Sequence, residues 1–278
     1  MEYYRKNILI SGGSSGIGFA LAKKFAKLGA NVTILARREE LLNAALRKIS
    51  VYKVDSDHII KIIQADVTKY YNLRRILAKE KTKYDILINS AGLAYPGKFL
   101  DLDIKVFRDL IDTNYLGTVN LTKIIVPHMI EKKSGYIVNV SSAAVLVGLF
   151  GYTAYAPSKY AVYGFSRCLR TELESYGIYV SVVLPQDTDT PQLTFERNLL
   201  PEITKKINER IEKIFGSAST ISADKAADFI VAGMNKFKFR ILFGFEGKFG
   251  ALISPILDSF FYRYAVRLSK KESLDLDE

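Results

Sequence analysis

Short apolar runs alternate with amphipathic stretches over most of the chain. Asn7 to Ser11 (NILIS), Asn31 to Ala36 (NVTILA), Ile59 to Ala65 (IIKIIQA), Tyr84 to Asn89 (YDILIN), Gly135 to Val140 (GYIVNV) and Tyr179 to Leu184 (YVSVVL) have the length and content of buried strands. Helical spacing occupies much of the sequence between them. One pattern starts at Phe19 and stops at Gly29, a glycine suited to a C-cap. Another covers Glu39 to Ile49. A long one covers Phe99 to Glu131 and is expected to break near Pro127. A further helix carries Tyr155 and Lys159, with Pro157 in its first turn, where proline is tolerated. A helix over Ala223 to Lys236 and a strand over Arg240 to Phe243 would finish the set at about seven strands. Strand and helix in alternation predict a parallel sheet with helices on both faces.

The ends of the apolar runs carry the chemistry. After the first comes GGSSGIG, with glycines at Gly12, Gly16 and Gly18. Strand, glycine loop and helix is the frame in which backbone can approach a pyrophosphate and a helix N-terminus can stabilise its charge. The second run ends at Arg37 and Arg38. In a dinucleotide-binding sheet that position faces the adenosine ribose. An acidic residue there suits a 2′-hydroxyl, whereas arginine accommodates a 2′-phosphate. The pair therefore favours NADP over NAD. The expected architecture is α/β, a Rossmann-type doubly wound parallel sheet.

Tyr155 and Lys159 are four residues apart, so on a helix they share one face. An ammonium beside a phenol favours the phenolate. Ser142, thirteen residues before Tyr155, adds a hydroxyl at the end of the fifth run. Together they read as a proton-transfer site.

Composition changes the picture in a few respects. At 278 residues and 49% apolar, the chain can build a full core, and it is read as a single domain. The lone Cys168 excludes an internal disulfide and fits a reducing compartment. A formal charge of +11 asks for an anionic partner: nucleic acid, an anionic membrane surface or a phosphorylated cofactor. The basic residues are dispersed and no nucleic-acid motif is present, so nucleic acid is not expected. The polar start from Met1 to Asn7 does not read as a signal peptide. No apolar run is long enough to span a bilayer. No metal site is expected.

These residues, in this order, resemble the short-chain dehydrogenase/reductase family. The parts are Ser11-Gly12-x-x-x-Gly16-x-Gly18, Asp66, the NSAG of residues 89–92, Asn114, Ser142, Tyr155-x-x-x-Lys159 and the segment from Pro185. The resemblance spans about Lys6 to Pro191. It implies NADPH as cofactor and four catalytic residues: Asn114, Ser142, Tyr155 and Lys159. Tyr155 would be the general acid in ketone reduction and the base in alcohol oxidation. Ser142 would bind the carbonyl oxygen. Lys159 would hold the nicotinamide ribose and lower the Tyr155 pKa. Asn114 would position a water linking Lys159 to solvent. Ser141 would be structural. Cofactor contact is implied for Gly12, Ser14, Ser15, Gly16, Ile17 and Gly18, for Arg37 and Arg38, and for Asp66 and Val67. It is also implied for Asn89, Ala91 and Gly92, for Tyr155 and Lys159 themselves, and for Pro185, Thr188 and Thr190.

The chain departs from the family pattern twice. Ser11 stands where the family usually has threonine. Gln186-Asp187 replaces the usual glycine after Pro185. That second departure, with GLFGYTAYAPSK at 148–159, resembles the subgroup that reduces 3-ketodihydrosphingosine. It implies a lipid-like ketone substrate. Another hydrophobic ketone (steroid, retinoid or acyl-derived) is the alternative, and a non-catalytic cofactor-binding or membrane-associated scaffold is the alternative of another class.

Residues 191–217 alternate apolar and charged positions and are expected to form a lid over the substrate. In 250–278, Ile256, Leu257, Phe260, Phe261, Tyr264, Ala265 and Leu268 share one helical face, with Arg263, Arg267 and Lys270 largely opposite. Such a helix suits a membrane interface, and equally docking on its own domain or on a second subunit. The family resemblance implies a homodimer or tetramer. The expected location is cytoplasmic, with the cytoplasmic face of a membrane open.

Overall fold

The computed structural model describes residues 1–146, 148–206 and 220–243, together with 262, 263, 266, 267 and 270. In chain order the first elements are β1 (Asn7–Ser11), α1 (Gly16–Lys27), β2 (Asn31–Ala36), α2 (Glu39–Ser50), β3 (Ile60–Gln64), α3 (Tyr70–Glu80) and β4 (Ile86–Asn89). There follow α4 (Ile104–Leu110), α5 (Gly117–Lys132), β5 (Gly135–Val140), α6 (Tyr155–Leu173) and β6 (Ile178–Leu184). The last are β7 (Thr188–Asp189), α7 (Pro191–Leu199), β8 (Ile221–Ser222), α8 (Ala223–Asn235) and β9 (Arg240–Leu242).

Seven of the strands form one parallel sheet in the order β3-β2-β1-β4-β5-β6-β9. The strands are nearly continuous apolar runs because both sheet faces are covered. Their two-residue side-chain period divides each run between two cores. Ile8 and Ile10 of β1, Ile86 and Ile88 of β4, and Tyr136 and Val138 of β5 pack with Leu21, Phe25 and Ile230. Leu9, Leu87 and Ile137, the residues between them, pack with Leu73, Leu121 and Met129. A one-residue slip would exchange the two faces, so the register is tightly held.

The chain moves outward from β1 to β2 and β3, then returns to place β4 on the other side of β1. The switch point of the sheet therefore lies between β1 and β4, where ligands bind at the carboxyl ends of strands. The register lines those ends up: Ser11 stands beside Leu35 and Asn89, and Asn89 beside Asn139.

The structure departs from the sequence reading in several places. Pro127 does not break α5, which runs through it to Lys132. Burial of Ile125 and Met129 on either side holds the helix against the core that contains Leu73 and Leu121. The long pattern from Phe99 is also not one helix. It contains a 3-10 turn at Phe99–Asp101, then α4, then a π-helical segment Ile111–Leu116, then α5. Asp103 starts α4 by accepting a bond from the Lys105 amide at 2.6 Å. α3 was not singled out, because its segment, YYNLRRILAKE, buries only Leu73 and Leu77. The short parallel pair of β7 and β8 was also unforeseen; it ties Thr188 to Ile221 and Asp189 to Ser222.

Of the expected lid, α7 is a helix from Pro191, with Thr190 as its cap, and residues 207–217 lie outside the described residues. Of the expected extension, only 262, 263, 266, 267 and 270 are described, all helical; its apolar face lies outside the described residues. Among the described residues, no helix is long and apolar enough to cross a membrane.

Candidate active site

A cleft of about 920 Å³ opens along the carboxyl ends of the strands. Its inner end is built by backbone. Ser14, Ser15, Gly16 and Ile17 line it where α1 begins. Ser15 occupies the cap position of α1 but its side chain makes no capping bond, and the first turn carries no acidic residue. An uncapped helix start facing a cleft is suited to an anion.

The glycines explain how the chain reaches this shape. Gly12 has φ +68°, and a Cβ there would lie 2.8 Å from the Ala91 amide nitrogen. A Cβ on Gly18 would lie 2.5 Å from the Gly12 carbonyl oxygen. Both residues keep β1, α1 and the end of β4 in close contact. Ser11 Oγ adds two bonds, accepting from the amides of Ser90 and Ala91 at 3.1 Å each. The cradle thus fits a dinucleotide pyrophosphate. Arg37 and Arg38, exposed at the end of β2, line its outer margin, and among the described residues neither forms a salt bridge.

The structure brings Ser142, Tyr155 and Lys159 together in the middle of the cleft. β5 ends just before Ser142, and α6 begins at Tyr155. Ser142 shares the cleft wall with Tyr155 and influences its phenol, and its Oγ accepts from the Ala144 amide at 3.1 Å. Lys159 lies 5.9 Å from the Tyr155 ring centre, with Nζ donating to the Val140 carbonyl at 3.1 Å. Ser141 is fully engaged elsewhere: its hydroxyl donates to the Lys159 carbonyl at 2.8 Å and so fixes α6 against β5.

The electrostatics differ from the expectation that Lys159 lowers the phenol pKa. Burial raises Tyr155 far above its ordinary value, the Glu196 carboxylate raises it further, and the Ser142 hydroxyl draws it down. Lys159 itself falls to about 8, because burial disfavours its ammonium; Glu196 partly offsets this. One N–H of Lys159 is held at the Val140 carbonyl. The phenol therefore keeps its proton at neutral pH.

Other expected site residues stand behind the wall. Asn114 is buried in the π-helical segment, where the extra residue per turn carries its side chain inward. Its Oδ1 accepts from the Leu93 amide at 2.7 Å, and its Nδ2 donates to the Leu93 carbonyl at 2.9 Å and to Ser158 Oγ at 2.8 Å. A Cβ on Gly92 would meet both Lys159 Nζ at 3.1 Å and Asn114 Oδ1 at 3.2 Å, so the two groups flank that glycine. Asn89 is buried and donates to Thr122 Oγ1 and Asn139 Oδ1, bracing the strand ends. Asp66 accepts from the Thr68 amide and hydroxyl, both at 2.9 Å, which shapes the turn that presents Val67 to the cleft. Ala91, Gly92, Pro185, Thr188 and Thr190 line the cleft directly.

The outer end is built by side chains that sequence reasoning did not single out: Leu93, Leu149, Tyr152, Leu193, Glu196 and Leu200. Tyr152 packs edge-on against Tyr155 with ring centres 5.9 Å apart. Phe195 of α7 meets Tyr95 of the loop after β4, with ring centres 6.2 Å apart. The only local signal for Glu196 was its spacing from Gln192, four residues earlier on the same helical face.

A serine, a tyrosine and a lysine at one sheet edge, beside a glycine loop at the switch point, define an oxidoreductase of the short-chain type. The chain belongs to that family: the family model described as short chain dehydrogenase matches residues 6–198. Among individual proteins, it is similar to the 3-dehydrosphinganine reductase of Danio rerio, at 34% identity over 245 residues, 87% of this chain and 72% of that protein. A 3-ketodihydrosphingosine reductase of Dictyostelium discoideum is 34% identical over 276 residues, 93% of this chain and 80% of that protein. A solved short-chain dehydrogenase from Sphingobium yanoikuyae, in complex with NADPH, matches with a TM-score of 0.72 at 26% identity, covering 85% of this chain and 87% of that one.

Proposed function

We propose that this enzyme reduces the 3-keto group of 3-ketodihydrosphingosine to give dihydrosphingosine, with NADPH as cofactor and Tyr155 as the acid. The observation that carries the reading is the hydroxyl pair of Tyr155 and Ser142 in a cleft whose outer end is walled by leucine. A hydroxyl pair suits a carbonyl, and the leucines suit a hydrocarbon tail. The sphingoid reductases of Danio rerio and Dictyostelium discoideum support the choice of substrate.

Bound along the glycine loop, the nicotinamide cofactor supplies a hydride to the carbonyl carbon. The chain's own residues govern the oxygen. Negative charge grows there in the transition state, and the hydroxyls of Ser142 and Tyr155 stabilise it more than they stabilise the ketone. Tyr155 then transfers its phenolic proton to that oxygen. Its raised pKa suits this role, since a phenol that ionised early would have no proton to give. Lys159, charged over much of the neutral range, offsets the negative charge left on the ring oxygen and would hold the nicotinamide ribose. Asn114, across Gly92 from Lys159, would position the water through which the proton is replaced. Arg37 and Arg38 would meet the 2′-phosphate. α7 lies over the site and limits water entry.

A substrate panel with both cofactors tests the reading. Turnover of 3-ketodihydrosphingosine with NADPH should exceed that of steroid, retinoid and simple acyl-derived ketones. No turnover of the sphingoid ketone would sink it.

A further inference from the structure

The outer end of the cleft carries a charge that carbonyl protonation does not need. A carboxylate near the reacting oxygen opposes the negative charge that builds there. Yet Glu196 lines the same cleft as Tyr152, Tyr155 and Lys159. It is half buried, and the fold holds it in place: Gln192 Nε2, one turn earlier on α7, donates to Glu196 Oε1 at 3.0 Å. The nearest cation in sequence does not neutralise it. Arg197 instead donates to Asp187 Oδ2 at 3.4 Å and to Thr220 Oγ1 at 3.2 Å, on the exposed side of α7. Lys159 donates to the Val140 carbonyl and, among the described residues, forms no salt bridge with Glu196. Burial raises the Glu196 carboxyl, and Asp187 raises it further, while Gln192 and Lys159 draw it down.

A positioned carboxylate among leucines invites a cation that arrives with the substrate. A plain hydrocarbon ketone brings none. A 2-amino ketone brings an ammonium on the carbon next to the carbonyl, and that group would enter the cleft wherever Tyr155 and Ser142 hold the oxygen. The alkyl tail would then follow Leu93, Leu149, Leu193 and Leu200. We infer that Glu196, set by Gln192, receives the ammonium of a 2-amino ketone and selects it over an amine-free ketone of the same length. The inference rests on the substrate reading above and deepens it, because it names the part of the substrate that the outer wall recognises.

Binding and turnover test the two readings separately. Dihydrosphingosine and the 1,3-diol of equal chain length lacking the amine are titrated calorimetrically into the NADPH-loaded full chain, as wild type, Glu196→Gln and Glu196→Asp. The amine should bind wild type about 10- to 100-fold more tightly than the diol, as expected for a charge-assisted contact. Glu196→Gln should remove most of that ratio, and Glu196→Asp should retain part of it. NADPH affinity and melting temperature identify a variant that has failed to fold, in which case the Asp variant carries the comparison. Equal binding of amine and diol by wild type, or a parallel loss of both in Glu196→Gln, would overturn the inference. In turnover of the corresponding ketones, the Glu196→Gln loss should fall mainly on KM of the amino ketone. Amine-selective binding without turnover of the sphingoid ketone would leave the cation site standing and overturn the substrate reading instead.

Discussion

The two ends of the cleft are made in different ways. The cofactor end is backbone, held by buried strands and by glycines that admit no side chain. The substrate end is side chains on α7 and on the segment before α6. α1 buries six residues in the core, Gly18, Ala20, Leu21, Ala22, Phe25 and Ala26, whereas α7 buries none. One end is therefore fixed by the same packing that makes the sheet. The other can change its residues at little structural cost. That division places Glu196 and the leucines on the adjustable side.

The sharpest way to break this comparison is at the point where the ends meet. Tyr155→Phe should lower kcat about 10³-fold or more while leaving NADPH affinity nearly intact, measured by steady-state turnover and direct cofactor titration. Undiminished turnover would remove Tyr155 from its role as acid. At the cofactor end, Arg37→Asp should weaken NADPH about 10- to 100-fold more than NADH, because it replaces a phosphate partner with a like charge. An equal loss for the two cofactors would mean that Arg37 does not meet the 2′-phosphate.

The pH profile probes the middle of the cleft. Lys159 sits at about 8, so its ammonium is present below that pH and lost above it. With the charge needed, kcat/KM should fall as pH rises through about 8, and a profile that is flat from about pH 7 to 9 would show that the charge is dispensable. Because Glu196 raises Lys159, Glu196→Gln should move this limb to lower pH.

Two stability measurements compare the ends directly. Gly12→Ala forces a side chain into φ +68° and within 2.8 Å of the Ala91 amide. It should cost about 1–3 kcal/mol and lower the melting temperature by several degrees. Thr190→Ala removes the cap that accepts from the Leu193 amide at 3.3 Å. It should cost about 1 kcal/mol, felt within α7 rather than in global unfolding. Equal effects on the global melting temperature would contradict the division into a fixed end and an adjustable one.

The parallel sheet and its glycine loop were legible because both signals are local and strong. Apolar runs such as NILIS and GYIVNV have few alternatives to a buried strand, and a glycine loop between strand and helix has a narrow physical meaning. Ser142, Tyr155 and Lys159 were legible from spacing and resemblance together. Pro127 misled, since a proline is a local breaker and only the packing of Ile125 and Met129 shows that α5 continues through it. α3 was missed for the opposite reason: two buried leucines leave a faint stripe.

The sequence by itself determined the seven strands of the main sheet, the glycine loop, the arginines at the end of β2 and the hydroxyl, phenol and ammonium that meet in the cleft. Each depends on residues close together along the chain, where spacing alone conveys geometry. Only the tertiary structure decided that Asn114 is buried in a π-helical segment, that the Lys159 ammonium is tied to the Val140 carbonyl, and that Glu196 lines the same cleft as Tyr155. Those relations join residues far apart in sequence. They are set by how α6 and α7 pack around one sheet edge, and no local pattern carries that information.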